Sequence, residues 1–167
     1  MNKLEIVLVV YNVRSAHNVG SMLRTADGLG ITRVYLVGYT PYPASSDDAR
    51  LPHMAAKTHR QISKTALGAE SSVKWTHRQN IKELLGELKD QAYEVVALEQ
   101  TKTAIDLRGF KPVSNIALVV GSEVGGLEKS VLDLCDAHVQ IPMAGKKESF
   151  NVAVAAAIAM HHLRNLP

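Results

Sequence analysis

The stretch QIPMAGKKESFNVAVAAAIAMHHL, residues 140–163, places a strand, a polar loop and a helix in immediate succession. The strand stops at Pro142, because proline has no N–H to give to a sheet ladder. Lys146, Lys147 and Glu148 make the loop polar, Ser149 is placed to cap the helix, and Asn151 follows in its first turn. Both residues then present polar groups at the carboxyl end of a strand, which in open parallel sheets is where ligands bind. Beyond them Ala153, Ala155, Ala156, Ala157 and Ala159 keep the helix thin, so that other backbone or a second subunit can approach closely. A buried helix selected only for propensity explains the alanines but not Ser149 and Asn151.

Outward from this segment, short β-branched runs alternate with stretches of helical period, which predicts an α/β fold: a parallel sheet with helices on both faces. Strands are expected near 6–11, 33–37, 72–75, 95–98, 116–120 and 138–141. Helices are expected near 19–29, 78–91, 129–134 and 149–163. The first helix carries Val19, Met22, Leu23, Ala26 and Leu29 on one stripe and stops at Gly30. Between Gly38 and Leu67 the period dissolves into a long connection with three prolines and the basic residues Arg50, Lys57, His59, Arg60 and Lys64. Connections of that length are often functional, although a solvated surface loop explains them as well.

The 167 residues suit one globular domain. A net charge of +3 and a pI near 9.0 are compatible with a polyanionic partner without requiring one. Cys135 is the single cysteine, and the seven histidines form no zinc-ligand spacing, so neither an intrachain disulfide nor a metal is expected. His161 and His162 are read as partners of a helix C-terminus rather than as ligands. Trp75 alone makes no base-stacking platform, and Tyr39 with Tyr42 hints at one only weakly. The first residues lack a cleavage site and read as a strand, and the late apolar run 152–160 is far short of the ~20 residues that span a bilayer. The expected location is cytoplasmic, with no membrane contact.

The segment VVGSEVGGLEKS, residues 119–130, opens a strand into glycines with Glu123 in the turn. It is not a P-loop, a dinucleotide fingerprint or a nucleophile elbow, since each requires a spacing absent here. A carboxylate at that position would repel phosphate, so hydroxyls, an amine or a positive centre suit it better. In NVRSAHNVGSMLRTADGLG, residues 12–30, Asn18 suits a helix N-cap and Gly20 leaves room for a large group to approach. Arg24, one turn on, either looks over that gap or pairs with Asp27 at i+3.

Together the three segments resemble the SPOUT class of RNA methyltransferases, and within it the SpoU (TrmH-like) branch. The residues that carry the resemblance are Asn18, Gly20 and Arg24; Gly121, Glu123 and Gly126; and Ile141, Pro142, Ser149 and Asn151. The resemblance implies an α/β knot in which the C-terminal segment forms a trefoil knot. It also implies S-adenosyl-L-methionine as cofactor and a homodimer whose sites borrow residues across the interface. By the family pattern Asn18, Arg24, Glu123, Ser149 and Asn151 form the catalytic network, and Glu99, Gln100, Gly121, Ile141, Met143 and Phe150 hold the cofactor. A sulfonium-bearing donor without phosphates suits the carboxylate in the turn.

Arg24 is expected near a ribose 2′-hydroxyl of tRNA or rRNA. A guanidinium stays protonated far above neutrality, so it is expected to stabilise the developing alkoxide rather than act as the base. Phe150 departs from the leucine usual in the family, and a single methyltransferase domain over 1–167 without a separate RNA-binding domain is expected. RNA contacts are therefore expected from Arg14, Lys57, Arg60, Lys64, Lys146 and Lys147, or from a partner protein. A non-catalytic RNA-binding or assembly protein and base methylation on the same scaffold remain alternatives, and a nicotinamide enzyme is disfavoured by the glycine spacing.

Overall fold

The computed structural model describes residues 4–166. Seven strands lie in one sheet: β1 Ile6–Tyr11, β2 Arg33–Val37, β3 Trp75–Arg78, β4 Tyr93–Leu98, β5 Ile105–Asp106, β6 Asn115–Val120 and β7 Ala137–Gln140. Their order is β3-β2-β1-β6-β4-β7-β5, and every pairing is parallel. The helices are α1 Ala16–Leu29, α2 Pro52–Ala66, α3 Ala69–Ser72, α4 Ile81–Asp90, α5 Lys129–Leu132 and α6 Val152–Arg164.

Alternation along the strands sorts the core into two layers. Ile6, Leu8 and Val10 of β1 join α1, α2 and α6 on one face, while Val7 and Val9 join Ile81, Leu84, Leu85 and Leu88 of α4 on the other. The expected α/β sheet covered on both faces is therefore present.

Several boundaries differ from the expectations. Residues 52–66, expected to be irregular, form the helix α2, with Pro52 at its start. Its buried stripe is only Ala55, Ile62 and Ala66, too narrow and too alanine-rich to give a clear period. The strand expected at 72–75 begins at Trp75, because residues 69–72 form α3 instead. The short edge strand β5 was not anticipated; two residues carry no alternation to detect.

Gly20 is the residue that lets α1 and α2 meet. A Cβ built on it would lie 2.2 Å from the Ile62 carbonyl oxygen, 2.2 Å from Thr65 Oγ1 and 2.9 Å from Ala66 N. The space expected for a ligand is thus filled by the backbone of α2, and Thr65 Oγ1 donates across the contact to the His17 carbonyl at 2.8 Å. Gly20→Ala is expected to destabilise the fold by about 2–3 kcal/mol, because overpacking against a carbonyl outweighs the ~1 kcal/mol that alanine gains in helix propensity. A Cβ built on Gly28 of the same helix would meet nothing within 4 Å outside its own turn, so Gly28→Ala should raise stability instead. Urea unfolding of the two variants checks the opposite signs.

Candidate active site

Register brings the three glycine- and asparagine-bearing segments together. Val10 pairs with Val120, Ala97 with Val119 and Leu98 with Val139, so the chains leaving β1, β6, β4 and β7 emerge at one level. A cavity of about 450 Å³ opens at this carboxyl edge, against the ends of β4, β6 and β7 and the start of α6. Among its lining residues Glu99 and Glu123 are the charged ones; no Lys, Arg or His takes part.

The turn after β6 is built on two glycines. Ser122 N donates to the Gly126 carbonyl at 3.2 Å and Gly126 N to the Ser122 carbonyl at 3.0 Å. The arms are so close that a Cβ on Gly121 would fall 2.4 Å from the Gly126 carbonyl carbon. Gly126 itself has φ +61°, a left-handed conformation that disfavours side chains.

Glu123 reaches from this turn to the start of α1. Its carboxylate accepts from Arg14 N–H, Ser15 N–H and Asn18 Nδ2, each at 3.0 Å. Asn18 Oδ1 in turn accepts from Asn151 Nδ2 at 3.2 Å, and Asn151 Oδ1 caps α6 by accepting from Ala153 N–H at 2.9 Å. One chain of hydrogen bonds therefore runs from α6 through α1 to the glycine turn. Burial pushes the Glu123 carboxyl upward, but the donors Arg14, Ser15 and Asn18 outweigh it and hold the group below the ordinary glutamate value.

A lowered folded-state pKa means that the stability contributed by Glu123 is complete above the unfolded carboxyl's value, about 4.3, and is lost as pH falls through the lower folded value. The stability gap between the parent and Glu123→Gln is expected to close in that acidic window. Urea midpoints measured from pH 6 down to pH 3 check it.

Two caps fall elsewhere than expected. Ser15, not Asn18, caps α1, with Oγ accepting from Asn18 N–H at 3.2 Å. Asn151, not Ser149, caps α6. At α1 the Asn18 side chain is engaged by Glu123 and Asn151 and Ser15 makes the cap, whereas at α6 Asn151 makes both the cap and the bond to Asn18. The Arg24–Asp27 pair does not form: Asp27 accepts from Ser72 Oγ at 2.6 Å, and Arg24 is exposed with no ion-pair partner among the described residues.

Of the expected cofactor residues, Glu99, Gln100, Gly121, Ile141 and Phe150 line the cavity, and Met143 does not. Glu123, Ser149 and Asn151 also line it, Asn18 is bonded to two of these, and Arg24 lies outside. Ser15 is the network member that sequence reading missed; its position one residue before α1 was the available signal.

The basic residues separate into two groups. Arg50 is structural: it pairs with Asp48, donates to the Tyr42 and Pro43 carbonyls, and lies 3.6 Å over the Tyr42 ring. Tyr42 also stacks on His77, with ring centroids 4.1 Å apart, which leaves Tyr39 as the exposed aromatic of this region. Lys57, Arg60 and Lys64 are exposed along one stripe of α2, a helix without acidic residues. Arg14 borders a smaller cleft between α1 and α2, and Lys146 and Lys147 are exposed in the loop before α6.

An all-parallel sheet with a ligand-sized cavity at its carboxyl edge defines an α/β domain built to hold a small molecule. The chain belongs to the SpoU rRNA Methylase family, whose model matches residues 5–161. It is 32% identical over 161 residues to a Staphylococcus aureus protein assigned to the TrmH family of tRNA/rRNA methyltransferases, covering 96% of this chain and 58% of that protein. This chain thus spans little more than half the length of that relative. An AdoMet-bound rRNA methyltransferase from Sinorhizobium meliloti superposes with a TM-score of 0.77 at 25% identity, over 96% of this chain and 56% of that one. A TrmH/SpoU tRNA modifying enzyme from A. aeolicus shares the fold, with a TM-score of 0.78 at 23% identity, over 97% of this chain and 76% of that one. No helix among the described residues is long and apolar enough to cross a membrane.

Proposed function

We propose that the chain is an S-adenosylmethionine-dependent RNA methyltransferase acting on a ribose 2′-hydroxyl of tRNA or rRNA. The observation that carries this reading is the charge of the cavity: two carboxylates and no cation line it. Such a lining repels phosphate-bearing cofactors and favours a ligand with a positive centre. The volume of about 450 Å³ lies in the range of small-molecule sites. Gly121 and Ile141 offer main-chain groups at the strand ends, and Phe150 and Val152 offer apolar surface for a base.

When bound, the cofactor supplies an electrophilic methyl group on a charged sulfur. The chain's part is to bind, orient and manage charge. The Glu123–Asn18–Asn151 network holds three elements in register around the cavity, and Ser149 stands at its rim. Arg24 stabilises the negative charge that develops on the ribose oxygen, and the proton leaves to an RNA phosphate or to water.

Topology favours a threaded tail. The segment after β4 crosses β7 to form β5 outside it, then returns through Leu107 and Phe110 beneath α6 to β6. Gln140 Nε2 donates to the Ala104 carbonyl at 3.4 Å and Gln100 Nε2 to the Glu148 carbonyl at 2.8 Å, drawing the tail against this loop. A trefoil knot satisfies that path.

A homodimer suits the exposed apolar side chains on α6, Val154 at 47% and Ile158 at 37%, with Phe150 at 39% beside them. It also suits Arg24, which is free to serve the cavity of a second copy. The α2 stripe is read as the phosphate contact, with Arg14, Lys146 and Lys147 nearer the cavity. Replacing Lys57, Arg60 and Lys64 together by alanine is expected to make the slope of log affinity against log salt shallower by about two to three units. Binding measured across a salt series reads this directly.

Calorimetry with S-adenosylmethionine and its demethylated product, followed by nucleoside mass spectrometry of RNA treated with the protein, tests the function. A 2′-O-methylated nucleoside is expected. A methylated base moves the reaction to a ring atom, and absence of cofactor binding overturns the assignment.

A further inference from the structure

We infer that the side chains of Glu99 and Gln100 act as a two-way clamp that sets the width of the cavity, making them positioning residues rather than cofactor contacts alone. This rests on the proposed function only for its consequence, not for its geometry. The two residues follow β4 directly, and their side chains go to opposite walls. Glu99 Oε2 accepts from Leu127 N–H at 2.9 Å and Oε1 from Gln100 N–H at 3.0 Å, so the carboxylate ties the end of the glycine turn to the end of β4. Gln100 Nε2 donates to the Glu148 carbonyl at 2.8 Å and so ties down the loop that leads into α6. The end of β4 thereby holds both loop segments, residues 121–127 and 142–151, from a single point.

A second observation supports the Glu99 arm. A Cβ on Gly126 would lie 2.2 Å from Glu99 Oε2, so the glycine at this position is matched to the carboxylate as well as to its own φ of +61°. Truncation to alanine removes the match: neither Leu127 N–H nor Gln100 N–H keeps its side-chain acceptor, whereas a glutamine turns its carbonyl oxygen to one of them. A buried or half-buried N–H that loses its acceptor opens readily to exchange.

The test on the full chain is amide hydrogen exchange for Glu99→Ala and trypsin cleavage after Lys146 and Lys147 for Gln100→Ala, because the largely exposed amides of 142–151 have no hydrogen bond to lose among the described residues. Glu99→Ala is expected to speed exchange at residues 121–127 at least tenfold and leave cleavage after Lys146 and Lys147 unchanged; Gln100→Ala is expected to speed that cleavage about tenfold and leave exchange at 121–127 unchanged. Each variant should also weaken S-adenosylmethionine about tenfold, with Gln100→Glu failing to rescue because it offers no donor. Unchanged exchange at 121–127 in Glu99→Ala, or an unchanged cleavage rate in Gln100→Ala, overturns the clamp. Should Glu99→Ala open the core strands as well, the exposed Gln100 arm decides alone, and an unchanged rate of cleavage after Lys146 and Lys147 then overturns it. If the parent binds no S-adenosylmethionine, the functional reading fails while the exchange and cleavage data still judge the clamp.

Discussion

Replacing Arg24 by alanine is expected to lower the rate of methyl transfer by about 10²–10³-fold while leaving S-adenosylmethionine affinity within about twofold of the parent and the unfolding midpoint unchanged. The magnitude is that of removing one preorganised charge-stabilising donor from a transition state. The selectivity follows from position. Arg24 does not line the cavity and has no ion-pair partner among the described residues, so its loss leaves no orphaned group behind. Arg24→Lys keeps the charge but loses the planar fork, and should recover only part of the rate. Single-turnover methylation beside calorimetry makes the measurement. Unchanged turnover would remove Arg24 from the mechanism. Mixing Arg24→Ala chains with Asn151→Ala chains adds a test of the dimer: activity returns only if Arg24 serves the partner's cavity, because only mixed dimers then hold one intact site.

Gly121→Ala should have the opposite profile: cofactor binding weakened by at least 100-fold, with a loss of about 1–3 kcal/mol in stability. The added methyl would sit 2.4 Å from the Gly126 carbonyl carbon, 2.5 Å from its oxygen and 2.7 Å from Leu127 N. All three are backbone atoms, so no side chain can swing aside. The two arms of the turn must separate, and with them go the Ser122–Gly126 pairing and the Leu127–Glu99 bond that shape the cavity wall. Calorimetric titration with the demethylated cofactor product and urea unfolding separate the two effects. Near-parental binding would show that the turn tolerates opening and that the cavity wall lies elsewhere.

The layout of the chain was legible because most strands bury both faces and read as unbroken β-branched runs, as in IVLVV and IALVV. The region 38–67 was not legible in the same way. Its helix buries three small or single apolar positions against α1 and leaves a basic stripe outside, so the apolar period falls below recognition. The meaning of Gly20 was inverted for a related reason. A glycine signals close approach but not what approaches, and here it is the α2 backbone. Asn18 and Asn151 were both recognised as polar residues at helix starts. Their bond to each other spans 133 positions and depends on parallel pairing that no local pattern specifies.

By itself the sequence determined the parallel α/β class, the three segments that carry the family resemblance, and a glycine turn whose carboxylate suits hydroxyls, an amine or a positive centre better than phosphate. Those properties are local: burial period, proline and glycine positions, and the chemistry of short motifs. Only the tertiary structure decided that Ser15 and Asn151 are the caps, that Gly20 serves packing, that Arg24 stands outside the cavity, and that Glu99 and Gln100 grip opposite walls. Each of these depends on which strands become neighbours and in what register. That is a balance of many weak long-range contacts, and a single position in the chain carries almost none of it.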